Sequence, residues 1–341
     1  MNSMVELLKV LTETNATSGR EEKIRERILE LVSPHVDGHR VDRLGNLVVW
    51  KEGKSGKKIL LDAHMDEIGV VVTHVDEKGF LRVEMVGGVD PRNLLGARIR
   101  FLNDKEICGI VGVEGETREE LKRNLEKLDF DRIYVDIGAP SKEEALKRVE
   151  IGTFGVYDSQ FEKLDDTCVS KAMDDRVGCA VLIKLFESLT DPKHSVYGVF
   201  SVQEEVGLVG ASVAAYEIDP EAAIAVDVTG AFDTPKALKR MGMKLGAGPA
   251  IKVMDRASIS DRNLVSRLVE TAEKHGIPHQ MEVLVFGGTN AAGYQRTKSG
   301  IPSATISIPT RYIHTPHEMV NVHDVESTVN LLKFFCQEAF D

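Results

Sequence analysis

Apolar residues follow a helical period at the start of the chain. Residues Met4 to Leu11 predict a short helix, and Ile24, Ile28, Leu31 and Val32 predict the apolar face of a second. The S-x-x-E spacing of Ser18 and Glu21 predicts a capping box before that second helix. Two β-type runs follow, Asn46 to Trp50 and Lys58 to Asp62. From Gly69 to about Phe161 the pattern shortens to runs at Val70 to Val75, Phe80 to Met85, Ala97 to Leu102 and Cys108 to Val113. Gly87-Gly88, Pro91 and Asn103-Asp104 punctuate them, which predicts a small β-rich module. Two helical stretches interrupt it, Arg118 to Leu128 and Lys142 to Val149, the latter with a capping box at Ser141 and Glu144.

After Lys163 helix and strand alternate. A helix opens at Lys171 to Gly178 and runs through Leu182, Leu185 and Leu189. A strand starting at Tyr197 and a helix near Gly210 to Tyr216 come next. They are followed by a strand from Ala222 to Gly230, a helix from Arg262 to Lys274, strands at Met281 to Phe286 and Ile301 to Ile308, and a closing helix from Val325 to Ala339. Such alternation predicts an α/β fold, a mixed or mostly parallel sheet sandwiched by helices, with sites at strand ends. The expected organisation is one discontinuous domain (1–67 and 162–341) with a β-rich insertion at 68–161.

Composition narrows the class. The chain has 341 residues, 42% hydrophobic and 28% charged, enough for a sizeable core, and its formal net charge of -11 argues against a nucleic-acid partner. Cys108, Cys168, Cys179 and Cys336 are widely spaced, as expected of reduced, buried thiols. No signal peptide is evident and no apolar run nears the roughly 18 residues of a membrane span. A cytoplasmic, membrane-free enzyme or binding protein is expected.

The chemistry lies in carboxylates and histidines. Glu204 and Glu205 end a β-rich run; alone, such a pair usually sits on a solvated face. His64 and Asp66 follow a strand, a spacing that suits a metal ligand and the carboxylate that orients it. Asp174 and Asp175 open a helix, where they could equally serve its dipole. Asp227 interrupts an apolar run and wants a cation nearby, and His314 follows the last strand. Two histidines and three carboxylates form a hard ligand set suited to Zn²⁺, Co²⁺ or Mn²⁺. If one Asp bridged two ions about 3.5–4 Å apart, a non-ligating Glu could move the proton of an attacking water, giving metal-assisted amide hydrolysis.

Six segments closely resemble one family: Asp62 to Gly69 (DAHMDEIG), Lys171 to Gly178 (KAMDDRVG), Ser201 to Gly207 (SVQEEVG), Ala225 to Thr229 (AVDVT), Gly287 to Asn290 (GGTN) and Arg311 to Pro316 (RYIHTP). The chain resembles the tetrahedral (TET) dinuclear metallo-aminopeptidases, sometimes labelled glutamyl aminopeptidase or cellulase. The resemblance implies two divalent ions per subunit, zinc or cobalt with manganese possible. Asp174 would bridge them, His64 and Asp227 would complete one shell, and Glu205 and His314 the other. Glu204 would be the general base acting on a metal-bridging water, Asp66 would orient His64, and the Asp174–Asp175 peptide would be cis. The resemblance favours His314 over His317 as the ligand, and leaves His323 as a capping or surface residue.

It further implies that segment 68–161 is a PDZ-like module that helps assemble dimers into a hollow twelve-subunit tetrahedron. The substrates would be short peptides cleaved at the N-terminus. Many relatives carry Asp where this chain has Asn290, a position the resemblance places near the substrate pocket, so a neutral aliphatic first residue such as leucine is expected. The rival readings are a deacylase or carboxypeptidase on the same two-metal scaffold, a glycosidase using two carboxylates, and a non-enzymatic, metal-containing peptide-binding assembly.

Overall fold

The structure, a computed structural model, describes residues 3–105, 107–237 and 241–338. An eleven-stranded mixed sheet forms its larger part. The strand order is Gly38–Val41, Leu47–Lys51, Ser195–Ser201, Lys58–His64, Ala222–Gly230, Ser303–Arg311, Glu318–Asn321, Thr167–Ser170 and Glu162–Leu164. Ala250–Met254 pairs beside Ser303–Arg311 and carries Gln280–Val283 at its own edge. The four central strands (Ser195–Ser201, Lys58–His64, Ala222–Gly230 and Ser303–Arg311) run parallel, with Ser201 opposite His64 and Asp227 opposite Ser307.

Helices cover both faces, which is why the central strands are continuous apolar runs rather than alternating ones. In Lys58–His64, Ile59, Leu61 and Ala63 join the core beneath helices Met4–Glu13, Glu22–Val32, Met173–Ser188 and Val322–Gln337. Leu60, of opposite parity, packs with Ala211, Ala214 and Ala215 of helix Val209–Ile218 and with Ala291 and Tyr294 of the short helix Ala291–Gln295. Asp62 and His64 share the parity of Leu60 and emerge where that strand ends.

The inserted β-rich segment is a closed six-stranded barrel of Gly69–Val75, Leu81–Val86, Ile133–Asp136, Cys108–Val113, Arg98–Phe101 and Phe154–Tyr157. It has its own core of Val, Ile and Leu around Phe101. Among the described residues no helix is long and apolar enough to cross a membrane.

Several expectations change. Helix Glu22–Val32 has Glu21 at its N-cap without a side-chain cap bond, so the Ser18–Glu21 capping box does not form. Instead the Ser18 hydroxyl donates to Asp66 Oδ2 at 2.6 Å, and Glu21 Oε1 accepts the Gly19 and Gln203 amides. Of the box at Ser141, the bond from the Glu144 amide to the serine hydroxyl is present. The last helix starts earlier, at Val322, with Asn321 as its cap; the expected end at Ala339 lies outside the described residues.

Candidate metal centre

The carboxyl ends of the parallel strands deliver the predicted residues to one place. His64 is the last residue of its strand, Asp227 lies inside the neighbouring one, and Glu204 and Glu205 follow Ser195–Ser201. His314 follows Ser303–Arg311, and Asp174 enters from the start of helix Met173–Ser188. The Asp174–Asp175 peptide is cis. Ala172, Gln203, Tyr312 and His314 all hold the left-handed backbone region, which non-glycine residues keep only where their surroundings enforce it.

Asp174 is the centre of the arrangement. Its Oδ1 lies 3.0 Å from His64 Nε2 and its Oδ2 lies 3.3 Å from His314 Nε2. Ligand-type atoms of His64, Asp174 and Asp227 lie within 4.8 Å of one another, as do those of Asp174, Glu205 and His314. The two trios share Asp174 alone. A third grouping of the same kind joins Glu204 to His64 and Glu205.

Hydrogen bonding fixes both imidazoles for the same task. His64 Nδ1 faces the Asp66 carbonyl at 3.1 Å, and His314 Nδ1 faces the Gly88 carbonyl at 3.0 Å. A carbonyl oxygen only accepts, so each Nδ1 carries a hydrogen, and each Nε2, the nitrogen that faces Asp174, is the one left to ligate a cation once it gives up its own proton. The Asp66 carboxylate lies 3.5 Å from His64 Nδ1 and accepts the Ser18 hydroxyl and the Glu204 and Glu205 amides. It thus ties the His64 loop to the paired glutamates.

The electrostatics follow from this crowding. Burial works against a protonated His64, yet Asp174 and Asp66 outweigh it and hold its pKa well above the ordinary value. Burial opposes a charged His314 too, but Glu205 and Asp174 push it up to about 12. Burial and the Asp174 charge raise Asp227 to about 7. Burial and the carboxylates of Asp227, Glu205 and Asp174 also raise Glu204, against the pull of His64. So dense a set of buried carboxylates demands positive charge among them. With hard N and O donors and both Nε2 atoms directed inward, the residues fit divalent metal ions.

Three supports were not singled out from the sequence. Glu318 is buried; its Oε2 accepts the Asp174 amide and its Oε1 the His314 amide, and burial together with Asp174 raises its pKa to about 8. Lys171 donates to both Glu67 oxygens at 2.6 Å, an ion pair buried on both sides. Arg176, fully buried, donates to the carbonyls of Leu11, Thr14, Ala16 and Met65 and so fastens the first helix to the His64 loop. Lys171, Arg176 and Glu67 all lie inside the recognised motifs, which was the available signal.

The two further histidines lie where the resemblance leaves them, and Asn290 does not. His317 is exposed and faces Ser159 at 3.3 Å, away from both trios. His323 is a surface residue near Asp166 and Glu326. Asn290 does not line the substrate cavity. It is buried, and its Nδ2 donates to Asp62 and, at 3.0 Å, to the Ser201 hydroxyl. The buried Asp62 carboxylate draws it inward, and its identity therefore says little about the first substrate side chain.

A cavity of about 1040 Å³ opens on the cluster, with His64, Asp174, Glu204, Glu205, Asp227 and His314 at one end. Phe232, Leu284, Phe286 and Ile313 give it an apolar wall.

Comparison with known proteins agrees with this geometry. A family model described as M42 glutamyl aminopeptidase matches residues 45–331. The chain belongs to that family. It is 38% identical over 339 residues to a lysyl aminopeptidase of Pyrococcus furiosus, covering 98% of this chain and 96% of that protein. Among solved structures it resembles an aminopeptidase from the archaeon Desulfurococcus kamchatkensis, with a TM-score of 0.93, 39% identity, and 98% and 95% of the two chains covered. It also resembles the Pyrococcus horikoshii TET1 peptidase, described as assembling into a tetrahedron or a large octahedral shell, with a TM-score of 0.89, 35% identity, and 99% and 100% covered. As an M42 chain, the protein is a metallo-aminopeptidase, a hydrolase of peptide bonds.

Proposed function

We propose that this M42 chain removes N-terminal residues from short peptides with two divalent ions, zinc or cobalt and alternatively manganese, bridged by Asp174. The observation that carries this reading is the placement of the two Asp174 oxygens against two differently held histidines, each within its own trio. His64 and Asp227 would hold one ion, and Glu205 and His314 the other. Divalent ions held by these residues would supply Lewis-acid chemistry, polarising a carbonyl and lowering the pKa of bound water.

The chain's own residues do the rest. Glu204, outside both trios built on Asp174, takes the water proton on a carboxylate oxygen and passes it to the nitrogen of the leaving peptide. Burial raises its pKa, with the carboxylates of Asp227, Glu205 and Asp174 adding to that and His64 opposing it, so its proton affinity is set by the same cluster. Asp66 holds His64 in place and, through the amides of Glu204 and Glu205, sets the base against the ligands. The apolar wall of Phe232, Leu284 and Phe286 supports a neutral aliphatic first residue.

In this reading, 1–67 and 162–341 form the catalytic domain, and 68–161 is a PDZ-like assembly module. The P. horikoshii relative, described as a tetrahedron or a large octahedral shell, supports a homo-oligomer, and a tetrahedral dodecamer built from dimers is the form this reading takes. The low cysteine content and the lack of a membrane-spanning helix among the described residues are consistent with a cytoplasmic site of action.

The test pairs a leucyl peptide bearing a free amine with its N-acetylated twin, in the presence of Co²⁺ or Zn²⁺. Cleavage of the free form alone is expected. Cleavage of the blocked form would give the site to a deacylase or carboxypeptidase instead.

A further inference from the structure

Beyond the metal cluster, the substrate cavity carries charge of one sign at its surface. Arg256 and Arg296 both line it, both are exposed, and neither has an ion-pair or hydrogen-bond partner for its guanidinium among the described residues. This is notable in a chain whose 54 acidic residues outnumber 43 basic ones. Lys252 also lines the cavity, but it is fully buried and lies 3.7 Å from both Asp255 and Glu282, so its charge is already balanced. Among the described residues, the carboxylates on the wall all belong to the candidate metal centre.

Both arginines stand on braced backbone. Arg256 sits in a turn closed by Asp255, whose Oδ1 accepts the Ala257 and Ser258 amides at 2.8 and 2.7 Å. Ala257 packs so closely on Gly288 that a side chain there would lie 2.8 Å from the alanine Cβ. Arg296 caps the short helix Ala291–Gln295, and Gln295 donates to the Ile259 carbonyl at 2.7 Å, joining the two arginine-bearing segments.

We infer that Arg256 and Arg296 form a subsite for a free carboxylate carried by the peptide substrate. This deepens the aminopeptidase reading and rests on it. Guanidinium groups bind carboxylates through paired, charge-assisted hydrogen bonds, and two unpartnered ones give up no existing contact in doing so. The carboxylate comes either from the C-terminus of a very short peptide or from an acidic first residue. Their exposure on the wall of the cavity that holds the buried trios suits the C-terminus of a di- or tripeptide whose amine end lies at the metal centre. The site would then read both ends of a short substrate.

Two matched pairs separate the sources: Leu-Gly-Gly against its C-terminal amide, and Glu-Gly-Gly-amide against Gln-Gly-Gly-amide. In the wild type, KM for the carboxylate-bearing member of one pair should be lower by roughly tenfold, an advantage that shrinks as salt rises. The pair that shows it identifies the source. In the double variant Arg256→Gln/Arg296→Gln the difference should vanish, the acid's KM rising to that of the amide. Equal KM values within both pairs in the wild type, or a difference that survives the double variant, would overturn the inference while leaving the aminopeptidase reading intact. Failure to cleave any of the four with metal supplied would remove that reading, and the subsite with it.

Discussion

Between Gly69 and Tyr157 the barrel buries no Asp, Glu, Lys, Arg or His side chain among the described residues; Asn124, bonded to the Glu114 carbonyl, is its buried polar group. Its ion pairs, such as Lys142 with Glu77 and Lys147 with Glu144, lie at the surface. The strand ends of the large sheet do the reverse. Asp62, His64, Asp66, Glu67, Lys171, Asp174, Asp175, Arg176, Asp227 and Glu318 are all buried within one region. Both regions rest on aliphatic cores. Desolvating that many charges opposes folding unless each finds a partner, so their concentration marks where chemistry rather than stability set the sequence.

One of the places where the two regions meet is beside the site. The Gly88 carbonyl, on the loop after a barrel strand, receives His314 Nδ1, and Asn93 donates to the His314 carbonyl at 3.3 Å. A Cβ at Gly88 would lie 2.7 Å from His314 Nδ1, and one at Gly87 would lie 3.1 Å from Glu205 Cβ. The barrel therefore touches the trio of Asp174, Glu205 and His314.

The comparison can be broken by substitution. Glu204→Gln should keep bound metal and lower kcat by roughly 100- to 10,000-fold, the range of a lost general base; near-normal turnover would remove that role. Lys171→Met leaves Glu67 buried without its ammonium and should cost about 3–5 kcal/mol in denaturant unfolding. The barrel's surface counterpart, Lys142→Ala, should stay within about 0.5 kcal/mol. Similar costs for the two would mean that burial of charge does not separate the regions. Gly88→Ala keeps the carbonyl but puts a Cβ 2.7 Å from His314 Nδ1, so it should displace that ring from its outer hydrogen bond and weaken metal binding at the proposed His314 position by roughly 10- to 100-fold, sparing the proposed His64 position; a titration of metal content distinguishes them. The smallest effect belongs to Ile133→Val in the barrel core, about 0.5–1.5 kcal/mol, with kcat unchanged.

Much of this was legible in the chain itself. The strand Ala222–Gly230, the helix Arg262–Lys274 and the strand Cys108–Val113 have the bounds their periodicity predicts, because local pattern and tertiary burial agree there. The strands Glu162–Leu164 and Thr167–Ser170 did not show. The first is exposed throughout, and the second is held by pairing with Glu318–Asn321, some 150 residues away. His64, Glu204, Glu205 and His314 end or follow strands, where topology predicts a site, while Asp227 lies inside its strand and Asp174 opens a helix. Ser18 was misplaced because its capping box is outcompeted by the buried carboxylate of Asp66; Asn290 was set near the substrate pocket by the resemblance alone, which does not show its bond to the buried Asp62. Glu318 was overlooked because its task is to hold two backbone amides, and spacing carries no trace of that.

The account turns on Asp174 serving two ions at once. Metal content per chain, measured by elemental analysis after dialysis against Zn²⁺ or Co²⁺, tests this most directly in the wild type, His314→Ala and Asp174→Ala. The account predicts two ions, then one, then none. Two ions retained by folded Asp174→Ala would contradict it.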